Sequence, residues 1–147
     1  VIMKGIIQPD HIPVNKFQLF VVGLPQIDFT AVSSIEEELN TATLPDRTMA
    51  SGGRTNPVEF TVSVPLHHTV QIAAMEVWFK EGQDPITPTY RKPGTLVLKS
   101  LSDTTIRSYT LIEVFCKKRK LPDFELDNDG DMAVVEYTLS ANQILPA

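Results

Sequence analysis

The stretch Val58–Glu59–Phe60–Thr61–Val62–Ser63–Val64 alternates apolar and polar residues without a break. Successive side chains of an extended chain point to opposite faces. Val58, Phe60, Val62 and Val64 therefore share one face, and Glu59, Thr61 and Ser63 the other. This is a strand with one buried and one wet face, stopped by Pro65. Upstream, Phe17 to Val22 is apolar on both faces and ends at Gly23–Leu24–Pro25, and Ile27 to Val32 puts Ile27, Phe29 and Ala31 in register. Downstream, Thr95 to Leu101 reads as a strand, followed by the turn Leu101–Ser102–Asp103–Thr104. The longest extended run is Thr105 to Cys116, with Ile106, Ser108, Thr110, Ile112 and Val114 on one face and Tyr109, Leu111 and Phe115 on the other. It is about twice the common strand length, so it bends or serves two sheets. Phe124 and Leu126 alternate with Asp123, Glu125 and Asp127, and Met132 to Leu139 closes the set with Ala133, Val135, Tyr137 and Leu139 in phase. These segments predict a mainly β chain, a barrel or sandwich of roughly six to eight antiparallel strands.

One segment lacks the period of two. Thr69 to Glu81 contains Ala73–Ala74 and runs from Thr69, a candidate N-cap, to Gly82, a stop. This predicts a single α-helix over about residues 69–82. At about 100° per residue, Thr69, Ala73, Glu76 and Lys80 form one narrow polar stripe. Val70, Ile72, Ala74, Met75, Val77, Trp78 and Phe79 spread over an arc of roughly 220°, about twice what packing on one core requires. Such a face needs cover on a second side, from a neighbouring subunit or from a long loop of the same chain. Leu44 to Pro57 has the loop chemistry of Pro45, Gly52, Gly53 and Pro57 and no apolar period. Loops of that length are usually functional or disordered. Asp84 to Pro93, with Pro85 and Pro88, is a second loop. No repeat or domain boundary is visible, so residues 1–147 read as one domain.

The chain has 147 residues, 42% of them hydrophobic, and 13 basic against 18 acidic side chains, a formal charge of −5. That size and composition support a packed core. The most apolar stretch, Val70 to Phe79, is far short of the ~20 residues of a bilayer span, so no membrane binding is expected. Val1 to Ile7 has one lysine and too few apolar residues for a signal peptide. The acidic balance argues against gripping nucleic acid through its phosphates, although the chain can still surround DNA. A single cysteine, Cys116, allows no internal disulfide.

Chemistry-bearing patterns are few. Glu125, Asp127, Asp129, Gly130 and Glu136 match the spacing of an EF-hand loop, but the flanks read as strands. Asp127–Asn128–Asp129–Gly130 is better read as a hairpin turn. His67 and His68 lack further ligands at metal spacing. Cys116 lies in phase with Val114 and Ile112, as a small core hydrophobe would. Ser51–Gly52–Gly53 is no nucleophile elbow, and no phosphate-binding glycine loop occurs. Glu36–Glu37–Glu38 reads as a solvated edge, and Lys117–Lys118–Arg119–Lys120 as a solvated strand end. No enzyme activity, metal or cofactor is predicted. A small-ligand-binding barrel is the alternative of a different class, weakened by Arg107, Ser108, Thr110 and Glu113 on the longest strand.

The order of these features resembles the contractile-phage (myophage) tail tube proteins, related to the tubes of contractile injection and type VI secretion systems. Phe17-x-Leu19-x-Val21-x-Gly23 is similar to their opening strand. Val58–Val64 and Val70–Phe79 with Trp78 are similar to their apolar strand and single helix, and Thr95–Leu101, Arg107–Val114 and Leu121–Leu139 to their later strands. The resemblance covers residues 17 to 140. It implies hexameric rings stacked into a hollow tube inside a contractile sheath, with DNA or effectors passing through the lumen without specific binding. The subunit would assemble in the host cytoplasm and reside in the virion tail. Its partners would be itself, the sheath, a baseplate initiator and a terminator. It further implies that the helix lies at contacts within a ring, through Val70, Ala74, Val77 and Trp78. Residues 44–57 would form a long hairpin loop reaching the next ring, through Asp46, Arg47, Ser51, Gly52, Gly53, Arg54 and Asn56. An acidic lumen would use the polar faces of the long strands.

Overall fold

The computed structural model describes residues 11–84, 86, 88–126 and 130–146, apart from the side chains of Arg54, Thr55 and Pro88. The elements run β1 (Phe17–Val21), β2 (Ala31–Val32), β3 (Leu39–Thr43), β4 (Met49–Thr55), β5 (Val58–Pro65), α1 (Thr69–Glu81), a 3₁₀ turn (Pro88–Tyr90), β6 (Lys92–Lys99), β7 (Thr105–Lys120), β8 (Val134–Ala141) and β9 (Gln143–Pro146). Seven strands form one antiparallel sheet in the order β1-β6-β7-β8-β5-β2, with β9 also paired to β7, while β3 and β4 form a separate two-stranded sheet. The large sheet does not close into a barrel; its two halves face each other in the manner of a sandwich. Leu19 and Leu111 of one half share a core with Val62, Val64, Leu139 and Tyr137 of the other. Val58, Phe60, Val62 and Val64 are all buried, as their alternation predicts, and each contributes about 1.5–3 kcal/mol by leaving water.

The longest strand is the fold's corner. Residues from Thr105 to Val114 pair with β6, Tyr109 to Ile112 also pair with β9, and Phe115 to Lys120 pair with β8. It serves both halves of the sheet, one of the two outcomes expected from its length. The change of partner falls at Glu113, whose φ of 53° lies in the left-handed region, next to a register shift in the β6 ladder. A bulge of this kind turns a strand and reverses the facing of the residues beyond it. Tyr109 and Leu111 line the interior before it, and Val114 and Cys116 are buried after it. The unbroken alternation expected over residues 105–116, with Val114 and Ser108 on one face, is therefore corrected by one inserted residue. The β8–β9 chain turns the same corner: the Asn142 amide donates to the Ile112 carbonyl at 2.9 Å. Its side-chain Nδ2 donates to the Glu113 carboxylate, which also accepts from Arg91 Nη1 at 3.1 Å.

Several boundaries differ from expectation. The described residues hold nine strands, one more than the expected upper limit. The additions are β3 and β4, within and beside the expected loop, and β9. Of Ile27 to Val32 only Ala31 and Val32 join the sheet, because Asp28 is held instead by Gln71: its amide donates to Gln71 Oε1 at 2.9 Å and its carboxylate accepts from Nε2 at 3.2 Å. Asp123 to Leu126 form no strand; β7 runs on to Lys120, and Phe124 and Leu126 are exposed. The helix matches its expected span, but the cap position is His68, with no side-chain cap bond, and Thr69 is the first helical residue. Asp127, Asn128 and Asp129, central to both the hairpin-turn and the calcium readings, lie outside the described residues. Gly130 has φ 93°, as turn chemistry requires.

Candidate assembly surfaces

The helix α1 divides its expected interface residues. Trp78 is 1% exposed and Met75 fully buried, and the Trp78 indole Nε1 donates to the Tyr90 carbonyl at 2.7 Å. Trp78 therefore anchors the helix to its own domain rather than lying on the outer face with its expected partners. Val70 and Val77 are 75% and 59% exposed, with Ala73 and Lys80 on the same outward side and Ala74 half-buried at its edge. Glu76, expected in the polar stripe, turns toward the sheet. It accepts from Arg119 and from the Tyr137 hydroxyl, the latter at 3.1 Å. Arg119 also lies over the Phe79 ring, 5.4 Å from its centroid. Burial, and next the neighbouring Glu76 charge, push the Tyr137 phenol well above its ordinary value. The only sequence signal of this cluster was Tyr137 in the buried phase, since a buried phenol needs a polar partner.

Residues 44–57 form the tip and second strand of a hairpin, and half of them, Met49–Thr55, are strand rather than loop. Met49–Thr55 pairs with Leu39–Thr43 to make a hairpin, with a register shift near Asn40. Every described side chain in the hairpin is exposed except Ala50, which is half-buried. Nothing packs on either face, so no apolar alternation was needed, and this hid the strand from a pattern search. The tip is tightly built. The Arg47 amide donates to the Leu44 carbonyl at 2.9 Å, with Pro45 at the position that favours its fixed φ. The Thr48 amide and hydroxyl donate to Asp46 Oδ1 at 3.1 and 2.6 Å, which holds the Asp46 carboxyl below its ordinary value. Arg47 sits at φ 70° and projects at the tip. Ser51 Oγ accepts from the Gly53 amide at 3.1 Å, and Gly52 sits against Asn40, where a Cβ would meet its backbone at 3.1 Å. The Asn56 amide donates to the Glu38 carbonyl and ties off the base. Of the expected stacking residues, then, Asp46, Arg47, Ser51, Gly52, Gly53 and Asn56 belong to one protruding hairpin. Arg54 lies in β4, its side chain outside those described.

No group of three metal-binding side chains occurs among the described residues. His67 and His68 meet edge to face at 4.4 Å between ring centroids. Cys116 is buried, and that burial pushes its thiol up to about 12, so it stays protonated and unreactive. Glu36 to Glu38 run exposed beside the sheet, Glu37 accepting from the Ile144 amide at 3.0 Å. The polar faces of β7 are not acidic. Ser108 and Thr110 lie on its first half, and Lys117, Lys118 and Lys120 on its second, where Lys117 pairs with Glu59. Between the sheet halves lies an apolar cleft of about 680 Å³, lined by Phe17, Ile35, Leu96, Leu98, Leu111 and Ile144 among others. Ser108 and Thr110 face away from it, which removes part of the case against a ligand-binding barrel. No helix among the described residues is long and apolar enough to cross a membrane.

No protein-family model and no curated protein matches the sequence. Solved structures do match over nearly the whole chain. A chain of the extended-state PVC sheath–tube complex, from an extracellular contractile injection system, superposes with a TM-score of 0.72 at 20% identity, covering 93% of this chain and 91% of that one. A chain of the anti-feeding prophage tube-terminating cap gives 0.74 at 20% identity, covering 98% and 95%. Hcp1 from Flavobacterium johnsoniae gives 0.52 at 16% identity, covering 90% and 94%. The sandwich, the single helix and the long arm between β2 and β5 thus make up a fold shared with chains of contractile injection assemblies and with Hcp1, as the order of sequence motifs implied.

Proposed function

We propose that this chain is the subunit of a hollow tube, built of hexameric rings stacked end to end inside a contractile sheath. The observation that carries the reading is the end-to-end fold match to the PVC and anti-feeding prophage chains, above nine-tenths of both lengths in each case. Physical features of the monomer support it. The sheet stays open, with β1 and β2 at its ends, and open edges call for a neighbour or a cover. Helix α1 presents Val70 and Val77 outward, and the β3–β4 hairpin fully buries none of its described side chains. The tube serves a phage tail, where DNA passes through the lumen, or an injection system carrying effectors; the fold supports both equally. On this reading the chain works without catalysis, and its partners are its own copies, the sheath, the baseplate and a terminator.

Negative-stain electron microscopy of the purified chain tests this directly. Rings or tubes are expected; a strictly monodisperse monomer across concentration and salt, inert even on a tail initiator, overturns the proposal. The apolar cleft favours a second reading, a small-ligand carrier, since its volume suits a small molecule. Stoichiometric uptake of a hydrophobic probe by a monomer that never assembles would select that reading.

A further inference from the structure

Two segments at opposite ends of the large sheet expose apolar and charged side chains that complement each other. The first is the β3–β4 hairpin, which leaves at the start of β5, where the Asn56 amide meets the Glu38 carbonyl. It exposes Leu39, Leu44 and Met49 and carries Arg47 at its tip, while the one carboxylate there, Asp46, is engaged by Thr48. The second is the connection from β7 to β8. It begins after Lys120, which pairs with Glu136, and ends before Val134, which pairs with Pro65 at the far end of β5. The eight residues of β5 place the two ends about 23 Å apart at ~3.3 Å per residue. The connection exposes Leu121, Phe124, Leu126 and Met132, carries the exposed carboxylates Asp123 and Glu125, and contains no lysine or arginine from Leu121 to Ala133.

We infer that the hairpin of one copy docks on residues 121–126 of the next, Arg47 against Asp123 and Glu125, and Leu44 and Met49 against Phe124 and Leu126. This rests on the tube reading and names the receiving surface of its stacking arm. The contact is heterologous, head to tail. It does not close on itself, so each docked copy offers a free hairpin at one end and a free acidic connection at the other, and growth continues. Apolar side chains on both segments provide area to remove from water, and the acidic side chains of the connection attract Arg47 while opposing connection-to-connection encounters. No described side chain of either segment belongs to the buried core.

Charge reversal with rescue tests the inference. Arg47→Glu, and separately the pair Asp123→Lys and Glu125→Lys, are expected to leave the thermal melt unchanged and single rings intact while abolishing tubes in electron micrographs. The three substitutions combined in one chain are expected to restore tubes. Wild-type tube yield in either reversed variant, or a folded triple variant that makes rings but no tubes, overturns this interface while leaving the tube reading in place. A wild-type chain that never assembles overturns both.

Discussion

Strands β4 and β5 are separated by only Asn56 and Pro57, yet they are opposite in kind. β5 places Val58, Phe60, Val62 and Val64 in the core and pairs with β8 along its whole length. β4 pairs only with β3 and buries nothing fully among its described side chains. Both are hydrogen-bonded strands, but only β5 has a hydrophobic alternation. Alternation therefore records burial on one face and not the ladder itself. An isolated two-stranded hairpin is marginal in water, so β3–β4 depends on its tip chemistry and, on the proposed function, on a second copy. One strand belongs to the domain and the other, on the proposed function, to the assembly.

The sharpest way to break that contrast is to attack the domain side. Trp78→Ala removes a buried indole and its bond to the Tyr90 carbonyl, and should cost about 3–5 kcal/mol, read by chemical denaturation. If it costs under 1 kcal/mol, α1 is held by something other than its inner face.

A smaller effect is expected in alkali. The Cys116 thiol is pushed from 9.0 up to about 12 by burial, and Tyr137 is raised from 10.0 by burial and by Glu76. A group whose proton is held more tightly in the folded chain supports the fold below its unfolded pKa and loses that support as pH rises. These two groups add no pH dependence below pH 9, and stability should decline from 9 toward 12 in pH-dependent melts. Cys116→Val should shallow the decline; a melt unchanged to pH 11 would refute the burial of these groups.

The smallest effect belongs to the hairpin. Replacing residues 44–48 by a two-residue turn should move the unfolding free energy of the dispersed subunit by no more than about 0.5 kcal/mol. A large loss would show that the hairpin supports its own domain, and the contrast with β5 would fail.

Much of the fold was legible because it follows from local periodicity. The face of Val58–Val64, the helix over residues 69–81 and the double duty of the strand beginning at Thr105 all follow from where apolar side chains recur and for how long. The outward side of the helix was half legible. The over-wide apolar arc marked Val70 and Val77 as needing cover, but not that Trp78 would be used inward or that Glu76 would be drawn to Arg119 and Tyr137. The choice at Glu76 depends on groups more than forty residues away, and that at Trp78 on the Tyr90 carbonyl across a loop. The β3–β4 arm was visible as a long segment rich in Pro and Gly, and its strand was not, since an exposed ladder leaves no hydrophobic trace.

The sequence by itself determined which residues leave water where one period runs unbroken, as along Val58–Val64: the pattern assigns burial there, and burial dominates the folding energy. Tertiary structure alone decided where the longest strand turns. Glutamate is no local signal for a left-handed backbone. Glu113 adopts φ 53° where Arg91 and Asn142 bind its carboxylate and two sheet halves demand a corner. It likewise decided that Met49 to Thr55 is extended, through main-chain bonds to Leu39–Thr43 that involve no side-chain pattern at all.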